Sequence, residues 1–114
     1  MSYFTEPYEY DFKTVKKTFG DNDLGNYRIG HYEKGNFVVT YVGKGNLKDR
    51  LNGHFDDGYH DDYFTFSPED DDEEMFKQEC KDFHSYKSTL RNENHPPVPK
   101  GKKCPVPSCD HVGE

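Results

Sequence analysis

Two runs rich in β-branched and aromatic residues, Tyr27 to Tyr32 and Phe37 to Val42, are separated by Glu33-Lys34-Gly35-Asn36, a pattern that predicts a β-hairpin. With Glu33-Lys34-Gly35 as a three-residue loop and Gly35 in the left-handed conformation, Tyr32 pairs with Asn36, and counting back places Tyr27 opposite Tyr41. Two phenols then share one face of the hairpin. Gly43-Lys44-Gly45 follows, able to bring backbone close to a ligand, and Asn46 is placed to cap a helix. On that helix Leu47, Leu51 and Phe55 form an apolar stripe, with Arg50 and His54 one turn apart at its edge. Upstream, Phe12, Val15 and Phe19 predict a short helix between Asp11 and Gly20, and Asp21-Asn22-Asp23 a turn. Downstream, Tyr63 to Phe66 reads as a third strand. Ser67-Pro68-Glu69-Asp70 then reads as the start of a helix, with Ser67 as its cap.

On this last helix Met75 or Phe76, Glu79, Cys80 and Phe83 share a face. A carboxylate on an apolar stripe is costly unless it is paired, for instance with Arg50, or bound to a cation. The 114 residues suit one domain with one modest core. Only 31% are hydrophobic, but nine Tyr and nine Phe make that core aromatic. Residues 56–74 hold ten acids and no lysine or arginine, so the rest of the chain is net positive despite an overall charge of −7. Such a balance opposes tight, indiscriminate DNA binding, which rests on Lys and Arg contacts to phosphate. Within the acidic run, His60 with Asp57, Asp61 and Asp62 is a candidate metal cluster, weighed against a solvated loop.

No signal peptide is evident, and no segment approaches the roughly 20 apolar residues that cross a bilayer. An intracellular protein without membrane attachment is expected. Three cysteines give no disulfide framework. The tail from Glu93 onward contains five prolines and predicts an extended segment with little core. Its Lys100, Lys102 and Lys103 are candidate phosphate contacts. Cys104, Cys109 and His111 are candidate ligands of a structural zinc, with His95 or Cys80 as a fourth, against the alternative of an unliganded tail.

Taken in order, Gly25-Asn26-Tyr27, Tyr41-Val42-Gly43, then Lys44, Arg50, His54 and Glu79, with Asn94 near the end, resemble the motifs of the GIY-YIG nucleases. That family includes the N-terminal domain of the excinuclease C subunit, homing and restriction endonucleases, and small stand-alone members. The resemblance spans roughly residues 25–95. It implies a small α/β domain, a three-stranded antiparallel sheet flanked by helices, preceded by a 1–24 extension and followed by a 96–114 tail. Asn26 stands where the family usually has an aliphatic residue.

What the resemblance implies for function is DNA phosphodiester hydrolysis with one Mg²⁺ or Mn²⁺ held by Glu79. Arg50 would stabilise the phosphoryl transition state, Tyr27 or Tyr41 would deprotonate the attacking water with help from Lys44, and His54 is an alternative base or shuttle. Gly43, Lys44 and Asn94 would bind substrate. No second domain is evident for reading a long site, so branched or otherwise structured DNA is the expected substrate, with a homodimer or a protein partner as a source of specificity. Asn26 and the acidic balance also suit a degenerate module that binds nucleic acid or protein without cutting; a second alternative is a structural or interaction domain in which the aromatics are core and the acidic helix start is a partner surface.

Overall fold

The computed structural model describes residues 4–56, 61–92, 95–107, 109 and 112–113. The elements run β1 (Tyr8–Glu9), α1 (Phe12–Thr18), β2 (Leu24–Glu33), β3 (Asn36–Asn46), α2 (Leu47–Asp56), β4 (Tyr63–Pro68) and α3 (Asp72–Ser85). The sheet is antiparallel throughout, in the order β1-β4-β2-β3. It therefore has four strands among the described residues rather than the three expected. The addition is the two-residue β1 from the N-terminal extension, which pairs Tyr8 with Phe64 and Glu9 with Tyr63.

Both faces of the sheet are covered. On one, Tyr10, Val15 and Phe19 pack with Tyr27, Ile29, Leu47, Leu51 and Phe64, so the extension enters the same core as the hairpin and α2. Aromatic pairs give this core its density, with Tyr10 stacked on Phe55 at 4.3 Å and Phe19 edge-on to Phe66 at 4.7 Å between ring centres. The Tyr10 hydroxyl donates to the Leu51 carbonyl at 2.6 Å, tying the extension to α2. On the other face, Val39, Val42 and Phe83 join α3 to β3. Asn26, fully buried, donates its side-chain amide to the Met75 carbonyl at 2.9 Å, so the polar residue in the first motif anchors α3 to β2.

The hairpin turn is tighter than expected, and its register differs. Glu33 pairs with Asn36 around a two-residue turn in which Lys34 and Gly35 both have positive φ, 50° and 82°. A bulge between Ile29 and Gly30 then moves the pairing by a further residue, so Tyr27 lies opposite Gly43, and Ile29 opposite Tyr41. The two one-residue offsets sum to an even number, which preserves the facing of side chains. Tyr27 and Tyr41 still share a face, their rings parallel with centres 6.5 Å apart.

Helix caps follow the expected chemistry at α1 and α2, where the side chains of Asp11 and Asn46 accept from the Thr14 and Asp49 amides. The start of α3 differs. Ser67 and Pro68 pair with Asn26 and Gly25 in the sheet, and Asp71 caps the helix by accepting from the Glu74 amide at 3.0 Å. The strand runs on because continuing the ladder satisfies more backbone groups than an early helix would.

Asp57 and His60 of the acidic segment lie outside the described residues. Asp61 accepts from the Thr40 hydroxyl at 2.6 Å and faces His31 Nδ1 at 3.1 Å, while His31 Nε2 faces Glu33 at 3.1 Å. With a carboxylate at each ring nitrogen, His31 is placed to donate twice, which requires the imidazolium. The hydrogen bond to Asp61, then that to Glu33, raises its pKa above the ordinary 6.5. A raised pKa in the folded state stabilises the fold fully below 6.5, and that contribution is lost as pH rises through the elevated value. The thermal midpoint of wild type should therefore exceed that of His31→Gln most at pH 6, with the gap narrowing as pH rises toward 9. Melting both proteins across this range checks it; a gap that widens with pH would contradict the assignment.

Candidate functional site

A cleft of about 510 Å³ opens along β3, the outermost strand of the sheet. Tyr27 and Tyr41, Gly53 and His54 of α2, Glu79 of α3, and Asn92, His95, Pro96 and Pro97 line it. The edge of β3 is covered by the segment after α3. Thr89 donates its hydroxyl to the Val39 carbonyl at 2.6 Å, the Arg91 amide donates to Thr40, and Asn92 holds Val42 at both backbone groups, at 3.1 and 3.0 Å. These contacts take the place of a further strand and leave the backbone edge satisfied.

Of the residues singled out from sequence, Tyr27, Tyr41, Gly43, Lys44, Arg50, His54 and Glu79 all line this one cleft. Asn94 and His111 lie outside the described residues. Asn92, Asp49 and His95 also line the cleft; the first two were not anticipated. Asn92 stands two residues before the asparagine chosen from sequence, and its clamp on β3 is a tertiary contact that no local pattern announces.

Beside the cleft, two glycines place functional side chains. A Cβ at Gly43 would lie 2.2 Å from Tyr27 Oη, so the phenol crosses the strand only because position 43 has no side chain. Gly45 has φ of 120°, in the left-handed region, and a Cβ there would come within 3.2 Å of Arg50 Nε. The Arg50 side chain thus lies against the β3–α2 junction and borders the cleft.

A hydrogen bond of 2.7 Å joins Tyr27 Oη to His54 Nε2, and the His54 ring also contacts Tyr41, 4.4 Å between ring centres. Burial, followed by the neighbouring Tyr41 and Glu79, pushes the Tyr27 phenol well above its ordinary pKa of 10, with Arg50 pulling the other way. Glu79 is pushed up to about 6, chiefly by burial, with Lys44 and Arg50 opposing and Asp82 adding to the rise. Its Oε1 is buried and has no hydrogen-bond partner. A carboxylate oxygen held out of water and unsatisfied by protein is a ready ligand for a hard cation.

Behind the cleft wall, His84, His95, Cys104 and Cys109 form a second group of ligand atoms, all within 4.8 Å of one another, a set that could hold a metal ion. Both cysteines are buried, packed with Phe76, Cys80, Val98 and Val106. The tail therefore contributes a small core of its own, because its prolines alternate with side chains that reach α3. His84, absent from the expected zinc set, lies one turn after Cys80 and two after Phe76, and that i, i+4, i+8 row is the signal that points to it. Lys102 faces Glu73 at 3.3 Å, while Lys100 and Lys103 are exposed.

Among the described residues, no helix is long and apolar enough to cross a membrane. No protein-family model matches the chain, and neither the curated proteins nor the solved structures include a match to it.

Proposed function

We propose that the cleft hydrolyses phosphodiester bonds of DNA in the manner of the GIY-YIG nucleases. The observation that carries this reading is Glu79 Oε1, buried and unpartnered in a cleft that also holds two phenols, a histidine, a lysine and an arginine. Glu79 would hold Mg²⁺ or Mn²⁺, with water and phosphate oxygens completing its shell. When bound, such a cation polarises the phosphoryl oxygen and neutralises charge that develops on it.

The chain's own residues supply the remainder. Tyr27 takes the proton of the attacking water while its own proton passes to His54 Nε2 along the 2.7 Å hydrogen bond. This relay suits a phenol whose buried position disfavours free phenolate, since the hydroxyl never carries the charge alone. The water oxygen bonds to phosphorus and the ester P–O bond breaks, the leaving oxygen taking its electron pair and a proton from solvent to depart as an alcohol, while His54 returns its proton to solvent. Arg50 offers its planar fork to the phosphoryl oxygens, and Lys44 adds positive charge at the strand end. Tyr41 packs against His54 and holds the ring in place. The sulfur-containing set behind the wall suits zinc rather than the hard cation of Glu79, and takes no part in this chemistry.

Structured DNA is the substrate class we propose. The test is cleavage of branched, nicked and plain duplex DNA with Mg²⁺ or Mn²⁺. Glu79→Gln should reduce cleavage by about 100-fold or more and abolish Mn²⁺ binding seen by calorimetry, with the fold intact. If wild type binds DNA but neither cuts nor binds Mn²⁺, the module is a binding domain.

Arg50 is exposed, so Arg50→Lys should keep the thermal midpoint within a degree or two. Cleavage should nevertheless fall about 10-fold to 100-fold, because lysine retains the charge but not the fork. An unchanged rate would remove Arg50 from the reaction. Gly43→Ala should displace the Tyr27 ring and weaken its bond to His54, lowering activity more than stability; a fully active variant would show that the relay is not used.

A further inference from the structure

We infer that His84, His95, Cys104 and Cys109 bind one zinc ion tetrahedrally, and that this ion fastens the tail to α3 and so holds the wall of the cleft. The inference stands independently of what the cleft does.

The geometry already approximates the ligand cage. Cys109 Sγ lies 3.3 Å from His95 Nε2, and Cys104 Sγ lies 3.6 Å from His84 Nε2. Zinc–sulfur and zinc–nitrogen bonds of about 2.3 and 2.0–2.1 Å at tetrahedral angles require ligand separations of about 3.3–3.8 Å. All four ligand atoms fall within 4.8 Å of one another, so closing the remaining gaps takes side-chain adjustments rather than chain movement. Four ligands of two cysteines and two histidines fill the coordination sphere, as in a structural rather than a catalytic zinc site.

His95 is pre-oriented for this role. Its Nδ1 donates to the Pro96 carbonyl at 2.8 Å, which fixes the tautomer and turns the Nε2 lone pair toward the sulfurs. Cys80 is fully buried beside the cluster but stands outside the four-ligand set. It belongs to the apolar floor with Phe76.

Among the described residues, the tail's other attachments are the edge-on contact of His95 with Phe83, a small core and one ion pair. Its small core is Val98, Val106 and the two cysteines against Phe76 and Cys80, and its ion pair, Lys102 with Glu73, is exposed. Exposed pairs contribute little, and so thin a cluster orders a proline-rich segment weakly. A metal site, whose binding free energy is also folding free energy, supplies the missing constraint. Because His95 is both a ligand and a cleft residue, and Pro96 and Pro97 follow it directly, the ion sets the position of that wall.

The test uses the full chain, purified without chelator, with zinc and cobalt as probes. Elemental analysis should find one zinc per chain in wild type and in Glu79→Gln, and none in the Cys104→Ser, Cys109→Ser double variant. Cobalt added to the chelator-stripped wild type should give tetrahedral ligand-field bands with a two-thiolate charge-transfer band, whereas a hard oxygen site such as Glu79 gives neither. His84→Gln should weaken zinc binding at least 10-fold, and Cys80→Ala should keep full stoichiometry. Chelation should lower the thermal midpoint and open residues 98–113 to protease, with zinc restoring both. Folded wild type that takes up neither metal would overturn the proposal, as would a His84→Gln variant of unchanged affinity, and zinc loss in folded Cys80→Ala would overturn the ligand set.

Discussion

The position of α3 rests on a buried ion pair. Asp82 meets Arg28 Nη2 at 2.7 Å with its side chain almost wholly out of solvent, and a carboxylate in that setting is tolerated only when a cation sits beside it. Gln78 donates to the same oxygen, and the Arg28 guanidinium lies over the Phe4 ring at 3.6 Å, so the N-terminal segment closes the pair from outside. Together with the Asn26 bond to Met75, this sets both the rotation of α3 and its position along β2. Once those are set, Glu79 points toward the cleft, Phe83 toward β3, and the Phe76, Cys80, His84 row toward the tail. Breaking the pair by removing Arg28 alone would strand a buried charge, so the helix and everything it positions depend on that contact.

The contrast between the two buried carboxylates of α3 separates structure from candidate chemistry. Asp82 and Glu79 are one turn apart; Asp82 meets an arginine and an amide at Oδ1 while its Oδ2 has no partner, and Glu79 has an unpartnered Oε1 with no arginine bonded to it. Glu79 also feels the charge of Asp82, which raises its pKa further. Asp82 is thus charge-paired through one oxygen, whereas a cation at Glu79 would satisfy an oxygen that the protein leaves unpartnered. From the sequence, the same tension was visible as an acid on an apolar stripe. What could not be seen there was that Arg50, a possible partner, lies against Gly45 instead.

Local chemistry made most of the elements legible: caps at Asp11 and Asn46, the hairpin, and the stripe of Leu47 and Leu51. The misread features were those fixed by contacts distant in sequence. A three-residue loop and a two-residue turn are both compatible with Glu33-Lys34-Gly35-Asn36, and nothing local announces the bulge at Ile29 and Gly30. The pairing of Tyr27 with Tyr41 was wrong while their common face was right, because period-2 facing survives any even offset. Ser67 has the composition of a helix cap and the neighbours of a strand, and pairing with Asn26 decided between them. In the tail, prolines suggested an extended segment, but composition cannot reveal that Cys104 and Cys109 lie against Cys80 and Phe76.

A domain with so few aliphatic residues must obtain order elsewhere, and it does so at three scales. Stacked aromatics fill the core between the sheet and α1–α2, where each ring covers more area per residue than an aliphatic side chain would. Polar clamps at Asn26, Asp82 and Asn92 set the elements around that core in register. The tail meets α3 through the His95 ring, which lies edge-on to Phe83, and through two cysteines that join His84 and His95 in one group of four ligand atoms. The polar clamps are stiffer than simple apolar burial, since hydrogen bonds are directional whereas burial is not. The cleft lies where all three meet: Tyr27 and Tyr41 come from the aromatic core, Asn92 from the clamps, and His95 from the ligand cluster. Directional contacts therefore fix several of its lining residues, the kind of rigidity that a site built to align reacting groups requires.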